Sequence, residues 1–260
     1  MDALTQIHPF ALLLIALLFT WGATALGAAI VFCFKDVNKR ALDLTLGVSS
    51  GIMLAAALWS LTIPAIDLAA ELWQNNWLCT SLGFLCGGLF IVLTSLFLDK
   101  KLPQASNKKR RILLISTLTM HNIPEGLAIG VSFSGLALGL NGCSLVSALM
   151  IALGIGIQNF PDGLAVSVPL YRDGMRKSHA FIWGQATGLV EPLAALLGYF
   201  ITMAVRSVLP FLLTFAAGAM VAVVIGELIP DFAPENRHLC TGGLVIGFIA
   251  MMILDLAIAF

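Results

Sequence analysis

Charge is what this chain lacks. Asp, Glu, Lys and Arg make up 11% of its 260 residues, whereas soluble proteins carry roughly 25%. That shortage excludes an ordinary water-soluble domain. Net charge is zero, with 14 acidic and 14 basic residues, so nothing points to nucleic acid as a partner. Cysteine is sparse and scattered at Cys33, Cys79, Cys86, Cys143 and Cys240, with no C-x-x-C pair and no metal-ligand spacing. These read as small hydrophobes in or near apolar segments. The segment Met1 to Pro9 lacks the basic start of a signal peptide, and the apolar run behind it is too long for a cleaved h-region. It reads as a first membrane span. No polar stretch is long enough for a domain outside the bilayer, so the function must lie within the membrane.

What is present is apolar sequence: 59% hydrophobic residues and a mean hydropathy of +0.98. The expected fold is an all-α membrane protein, one transmembrane domain over residues 1–260. At about 20 to 25 residues per crossing the length suits eight spans. They are expected at 8–34, 42–66, 76–98, 112–135, 143–170, 179–203, 208–230 and 241–260. Lys35, Lys39 and Arg40 fall between spans 1 and 2; Lys100, Lys101, Lys108, Lys109, Arg110 and Arg111 between 3 and 4. Arg172, Arg176 and Lys177 fall between 5 and 6, and Arg237 between 7 and 8. Only Arg206 lies on the other side, with acidic Asp67 and Glu71. The positive-inside rule makes the basic side cytoplasmic and turns both termini outward. Segment 99–111 reads as the one flexible cytoplasmic linker, and the protein as a multi-pass resident of the cell membrane.

Two stretches break the apolar pattern: His121-Asn122-Ile123-Pro124-Glu125-Gly126 and Gln158-Asn159-Phe160-Pro161-Asp162-Gly163. Each places three metal-capable side chains at i, i+1 and i+4, one polar edge of a helix at about 100° per residue. The proline at i+3 strips a hydrogen bond from the carbonyl four residues back, Met120 or Ile157. Aligning the copies matches Asn, Pro, Gly, Leu, Ala and Val in register. The spans are successive and antiparallel, which predicts inverted pseudo-symmetry with a shared site where they meet.

Carboxylates in hydrocarbon cost several kcal/mol unless paired or coordinated. Within the spans there is no clear Lys or Arg to neutralise Glu125, Asp162, Glu191 and Glu227. Protonation or a bound cation must support them. Carboxylates, an imidazole and amides form a mixed N/O set suited to zinc or ferrous iron. Glu191-Pro192 follows a small-residue run in span 6, and the proline is expected to free the Gly188 carbonyl. Met53 could supply a thioether, although a core methionine is the usual explanation. Ser60, Pro64 and Asp67 form a polar edge toward the outer end of span 2. Glu227, Pro230 and Asp231, with Glu235 and His238 beyond, read as a cytoplasmic exit. Asp43 and Asp255 read as interfacial.

These motifs, with Gly184-Gln185-x-x-Gly188-x-x-Glu191-Pro192, resemble the ZIP (Zrt/Irt-like) divalent-metal transporters, and Gln158 in place of His resembles the GufA-type branch. The resemblance covers essentially the whole chain. It implies a two-metal transport site. One ion would take Met53, His121, Glu125, Gln158 and Asp162; its neighbour would take Asn122, Glu125, Asn159, Asp162 and Glu191, with Glu125 and Asp162 bridging. It further implies homodimers, inward flux, and a bundle around spans 4 and 5 that moves against the rest. Asp162 stands where the family usually has Glu, and the 99–111 loop has no histidine. Zinc, iron, manganese and cadmium all tolerate such ligands, as transported substrate rather than cofactor. A membrane-embedded di-metal enzyme is the competing class, but there is no His-Glu-x-x-His and no Glu-x-x-His pair. A metal sensor would need an output domain that is absent from the sequence.

Overall fold

A computed structural model describes residues 8–33, 39–73, 76–101, 107–140, 143–230 and 234–259. They are helical almost throughout: α1 (Pro9–Cys33), α2 (Lys39–Ala55), α3 (Ile63–Leu72), α4 (Asn76–Lys101) and α5 (Asn107–Ala137) come first. The second half holds α6 (Leu145–Arg172), α7 (Lys177–Thr187), α8 (Val190–Ala204), α9 (Leu209–Val223) and α10 (Arg237–Ala259). A π-helical turn, Ala56–Thr62, joins α2 to α3 as one rod, and a second, Val224–Leu228, ends α9. The Ser144 hydroxyl caps α6 by accepting the Ser147 N–H at 3.0 Å, while the Ser147 hydroxyl accepts the Ser144 N–H at 2.9 Å. The turns that follow α5 and α6 use glycine with positive φ, Gly139 at 61° and Gly174 at 88°, where a side chain would be strained.

Among the described residues, seven helical stretches are long and apolar enough to cross a membrane. The stretch corresponding to the fourth expected span is not one of the seven. It is nevertheless a continuous helix, α5, of 31 residues and about 46 Å at 1.5 Å per residue. Its Lys108–Arg111 run and the polar residues of the first motif lower its hydropathy. Several boundaries differ from expectation. The second span runs on to Leu72, so Asp67 and Glu71 are helical residues rather than parts of a connection. Helix ends cover 99–101 and 107–111 of the expected linker, and its middle lies outside the described residues.

The helices sort into two groups by their contacts. In the first, α1 packs on α6, α5 on α8, and α7 on both α1 and α6. In the second, α2 packs on α10 and α4 on α9. The groups meet along a seam where α9 touches α5 and α2 touches α6. Small residues set these distances, since helices in lipid gain by close van der Waals approach. Gly27 of α1 lies against the Phe160 carbonyl of α6, and Gly163 of α6 against the Thr24 carbonyl of α1. Large apolar side chains fill the interior, with Met53, Leu61, Phe133, Ile155 and Met220 all fully buried.

Two carboxylates near helix ends have partners within the protein. Asp43 is buried and accepts from Asn236 Nδ2 at 2.7 Å. Asp255 is half-buried and accepts from the Ser60 hydroxyl at 2.8 and 2.9 Å, tying α10 to the π turn after α2. Asp67 is exposed.

Candidate metal centre

The prolines of the repeated motifs do not break their helices, because α5 continues through Pro124 and α6 through Pro161. The polar edge of each helix therefore stays intact. Asn122 and Glu125 on α5, Gln158, Asn159 and Asp162 on α6, and Glu191 on α8 are all buried. His121 stands one turn before Glu125 on α5, and its side chain lies outside the described residues. The side chain of Glu227 and all of Asp231 lie outside them too. Glu235 and His238 occupy the turn and first helical residues leading into α10.

Amides hold the carboxylates. Gln158 Nε2 donates to Glu125 Oε1 at 2.5 Å, bridging α6 to α5. Asn159 Nδ2 donates to Glu191 Oε2 at 2.6 Å, bridging α6 to α8. Asn122 Nδ2 donates to the carbonyls of Leu118 at 2.6 Å and Thr187 at 3.3 Å. The two copies of the motif thus meet as expected, and the amide of one copy supports the carboxylate of the other. Asp162 and Glu191 both lie within electrostatic reach of Glu125. Among the described residues the close partners of Glu125 and Glu191 are amides and a hydroxyl, not lysine or arginine.

The break between α7 and α8 serves Glu191. The helix stops at Thr187 and restarts at Val190, placing Glu191 in the first turn of α8, where the positive end of the helix dipole favours an anion. Pro192 sits in that turn, where helix N–H groups have no intrahelical acceptor. The expectation that Pro192 frees the Gly188 carbonyl does not hold, since that carbonyl accepts the Glu191 N–H at 3.2 Å. The helix breaks instead, and the new turn satisfies the carbonyl.

Because each amide spends its N–H₂ on a carboxylate or carbonyl, oxygens are left over. Asn122 Oδ1, Glu125 Oε2, Gln158 Oε1, Asn159 Oδ1 and Glu191 Oε1 are buried with no hydrogen-bond donor. Leaving one such acceptor unsatisfied costs about 1–3 kcal/mol. These five oxygens stand on residues of three helices, α5, α6 and α8, that the hydrogen bonds above join to one another. Among the described residues no three His, Cys, Asp or Glu side chains form a ready-made cage.

Two residues are missing from the sequence-level list. Thr20 of α1 is fully buried; its carbonyl accepts from Asn159 Nδ2 at 3.2 Å, and its hydroxyl lies close to the Glu191 carboxylate. Ser49 of α2, also buried, donates to Asp162 Oδ1 at 3.5 Å. The available signal was weak: Thr20 and Thr24 at i, i+4 in an apolar run, and a Ser49-Ser50 pair one turn before Met53. Met53 is fully buried on the face of α2 that carries Ser49. At the seam a small cavity is lined by Ser60, Pro64, Ser132, Cys143, Ser147 and Leu213 among others. Cys79 and Cys143 are both free thiols.

Comparison with known proteins shows the family. The ZIP zinc transporter family matches residues 98–255. The chain is 32% identical to zinc transporter ZIP11 of Homo sapiens, over 94% of this chain and 96% of that protein. It is 32% identical to zinc transporter GufA of Myxococcus xanthus, over 94% and 98% of the two chains. With zinc transporter ZIPB of Bordetella bronchiseptica the identity is 37%, over 92% of this chain and 78% of the relative. These relatives are transporters rather than enzymes, which removes the di-metal enzyme reading. With its helices long enough to span a bilayer and its match to the family over residues 98–255, this chain is a transmembrane transporter belonging to the ZIP family.

Proposed function

We propose that this protein carries zinc, or a similar divalent ion such as iron, manganese or cadmium, toward the cytoplasm through a binuclear intramembrane site. The observation that carries the reading is the set of donor-free oxygens on Asn122, Glu125, Gln158, Asn159 and Glu191. One ion takes Met53, His121, Glu125, Gln158 and Asp162. The other takes Asn122, Glu125, Asn159, Asp162 and Glu191, with Glu125 and Asp162 serving both. The carboxylates supply the charge that offsets lost hydration, and the amide oxygens complete a hard, oxygen-rich shell. Gln158 and Asn159 would do two jobs, steadying a carboxylate through nitrogen and meeting the ion through oxygen.

In this reading α5 is the remaining membrane span, giving eight crossings within one domain with both termini outside. The seam cavity beside Ser60 and Ser132 leads the ion in from the outer side. The group of α1, α5, α6, α7 and α8 then shifts against the other, and Glu227 receives the ion on the cytoplasmic side. The protein works in the cell membrane as a homodimer. Uptake of radioactive zinc into proteoliposomes tests the proposal. Intact protein should accumulate zinc and Glu125→Ala should not; equal uptake would end the reading. Competition by iron, manganese and cadmium in the same assay ranks the substrates.

A further inference from the structure

The hydrogen bond from Ser49 to Asp162 differs from the other contacts of the site, because it crosses the seam between the two helix groups. Each end is anchored to its own group by backbone-to-backbone packing. Ser49 sits between Gly47 and Gly51, whose α-carbons lie against the Cys240 and Leu244 carbonyls of α10. In return, Gly247 of α10 lies against the Val48 carbonyl of α2. This part of α2 has no slack relative to α10. Asp162 lies between Phe160, whose carbonyl meets Gly27 of α1, and Gly163, which meets the Thr24 carbonyl. That part of α6 is equally fixed to α1. The Ser49 hydroxyl and the Asp162 carboxylate, both buried, are therefore held at 3.5 Å by the registration of the groups rather than by local side-chain freedom. That separation is already at the outer limit for an O–H···O contact, so any further slide between the groups ends it.

We propose that Ser49 is a positioning residue for the metal site, supplied across the seam: its hydroxyl orients the Asp162 carboxylate toward the ion. This rests on reading Asp162 as a ligand. Hydrogen-bonding partners that orient a ligating carboxylate typically govern metal affinity by about 10- to 100-fold. Here the partner belongs to the opposite helix group, so the site is fully organised only in the registration that brings Ser49 to Asp162. Met53 follows Ser49 by one turn, on the same face of α2.

The test compares intact protein with Ser49→Ala, Ser49→Thr and Asp162→Asn in lipid nanodiscs, measuring zinc affinity by competition with a chromophoric chelator. Uptake by the same variants in proteoliposomes separates KM from Vmax. Ser49→Ala should bind zinc about tenfold more weakly, with KM raised in parallel and Vmax nearly unchanged, and Ser49→Thr should recover most of the loss. Ser49→Gly, which adds no atom, serves as a second hydroxyl-free variant if the alanine protein does not fold. Wild-type affinity in a hydroxyl-free variant, or a threonine variant as weak as the alanine one, overturns the proposal. Asp162→Asn separates the two readings: wild-type zinc binding there overturns the ligand role of Asp162 itself. Lost binding in Asp162→Asn beside normal binding in Ser49→Ala overturns only the role of Ser49.

Discussion

The α-carbon of Gly126 packs against the backbone carbonyl of Glu191, leaving no room for a methyl group between them. The last residue of the first motif thus sets the distance between α5, which carries Glu125, and the turn of α8 that carries Glu191. The last residue of the second motif does the same on α1, where Gly163 meets the Thr24 carbonyl. The glycines of the repeat are spacers that let two further helices reach the polar edge.

Gly126→Ala should therefore push α8 away and disperse the site. Overpacking of this kind costs about 1–3 kcal/mol, so the thermal midpoint should fall and zinc uptake with it. Gly22→Ala is the control, because a Cβ there has nothing within 4 Å. Equal uptake by both variants in proteoliposomes would show that the α5–α8 contact does not position Glu191.

Asn159→Leu removes the donor to Glu191 Oε2 while keeping the side-chain volume. A buried carboxylate oxygen left without its partner costs about 1–3 kcal/mol. The variant should be less stable and transport little zinc. Combined with Glu191→Gln it should cost less than the sum of the single changes, since the two residues are in contact. Thermal unfolding of the four proteins measures that coupling; strict additivity would deny the pair.

Thr20→Val keeps the backbone carbonyl that meets Asn159 but deletes the hydroxyl beside Glu191. It should raise KM for zinc several-fold with a modest stability loss of about 1 kcal/mol, whereas Thr20→Ser should behave as the parent. Uptake kinetics decide this, and a valine variant with unchanged KM would assign Thr20 to packing alone.

Single cysteines introduced into a cysteine-free background test the topology. Ala105→Cys, in the basic connection, should resist a membrane-impermeant maleimide in intact cells and react after lysis. Asn141→Cys, on the opposite side of α5, should react in intact cells. The reverse pattern would invert the orientation, and the same result at both positions would remove α5 from the spans.

Much of the fold is legible in the residues alone. Scarce charge and long apolar runs require a helical membrane protein, since every backbone group in lipid must be satisfied within its own segment. The i, i+1, i+4 spacing places Glu125 and Asp162 on polar helix edges because the period is set by backbone geometry. Less legible were the extents of α2 and α3 through Leu72 and the break before Glu191. Asp67 and Glu71 read as a connection although the helix runs through them, and a Gly–Pro-bearing run such as Gly188–Pro192 marks a kink and a full break alike. The partners of Asp43 and Asp255 were equally hidden: a carboxylate near a helix end looks alike in sequence whether water or Asn236 and Ser60 receives it.

The residue pattern alone puts one amide–carboxylate motif on each of two successive helices, because helical periodicity is a local property. Which amide meets which carboxylate follows from the packing of those helices. Gln158 reaches Glu125 across 33 residues and Asn159 reaches Glu191 across 32. Those pairings depend on helix depth and rotation, which glycine contacts such as Gly126 on Glu191 and Gly163 on Thr24 set. Thr20 and Ser49 entered the site the same way. No local pattern distinguishes a buried hydroxyl from one aimed at a carboxylate until the neighbouring helix is in place.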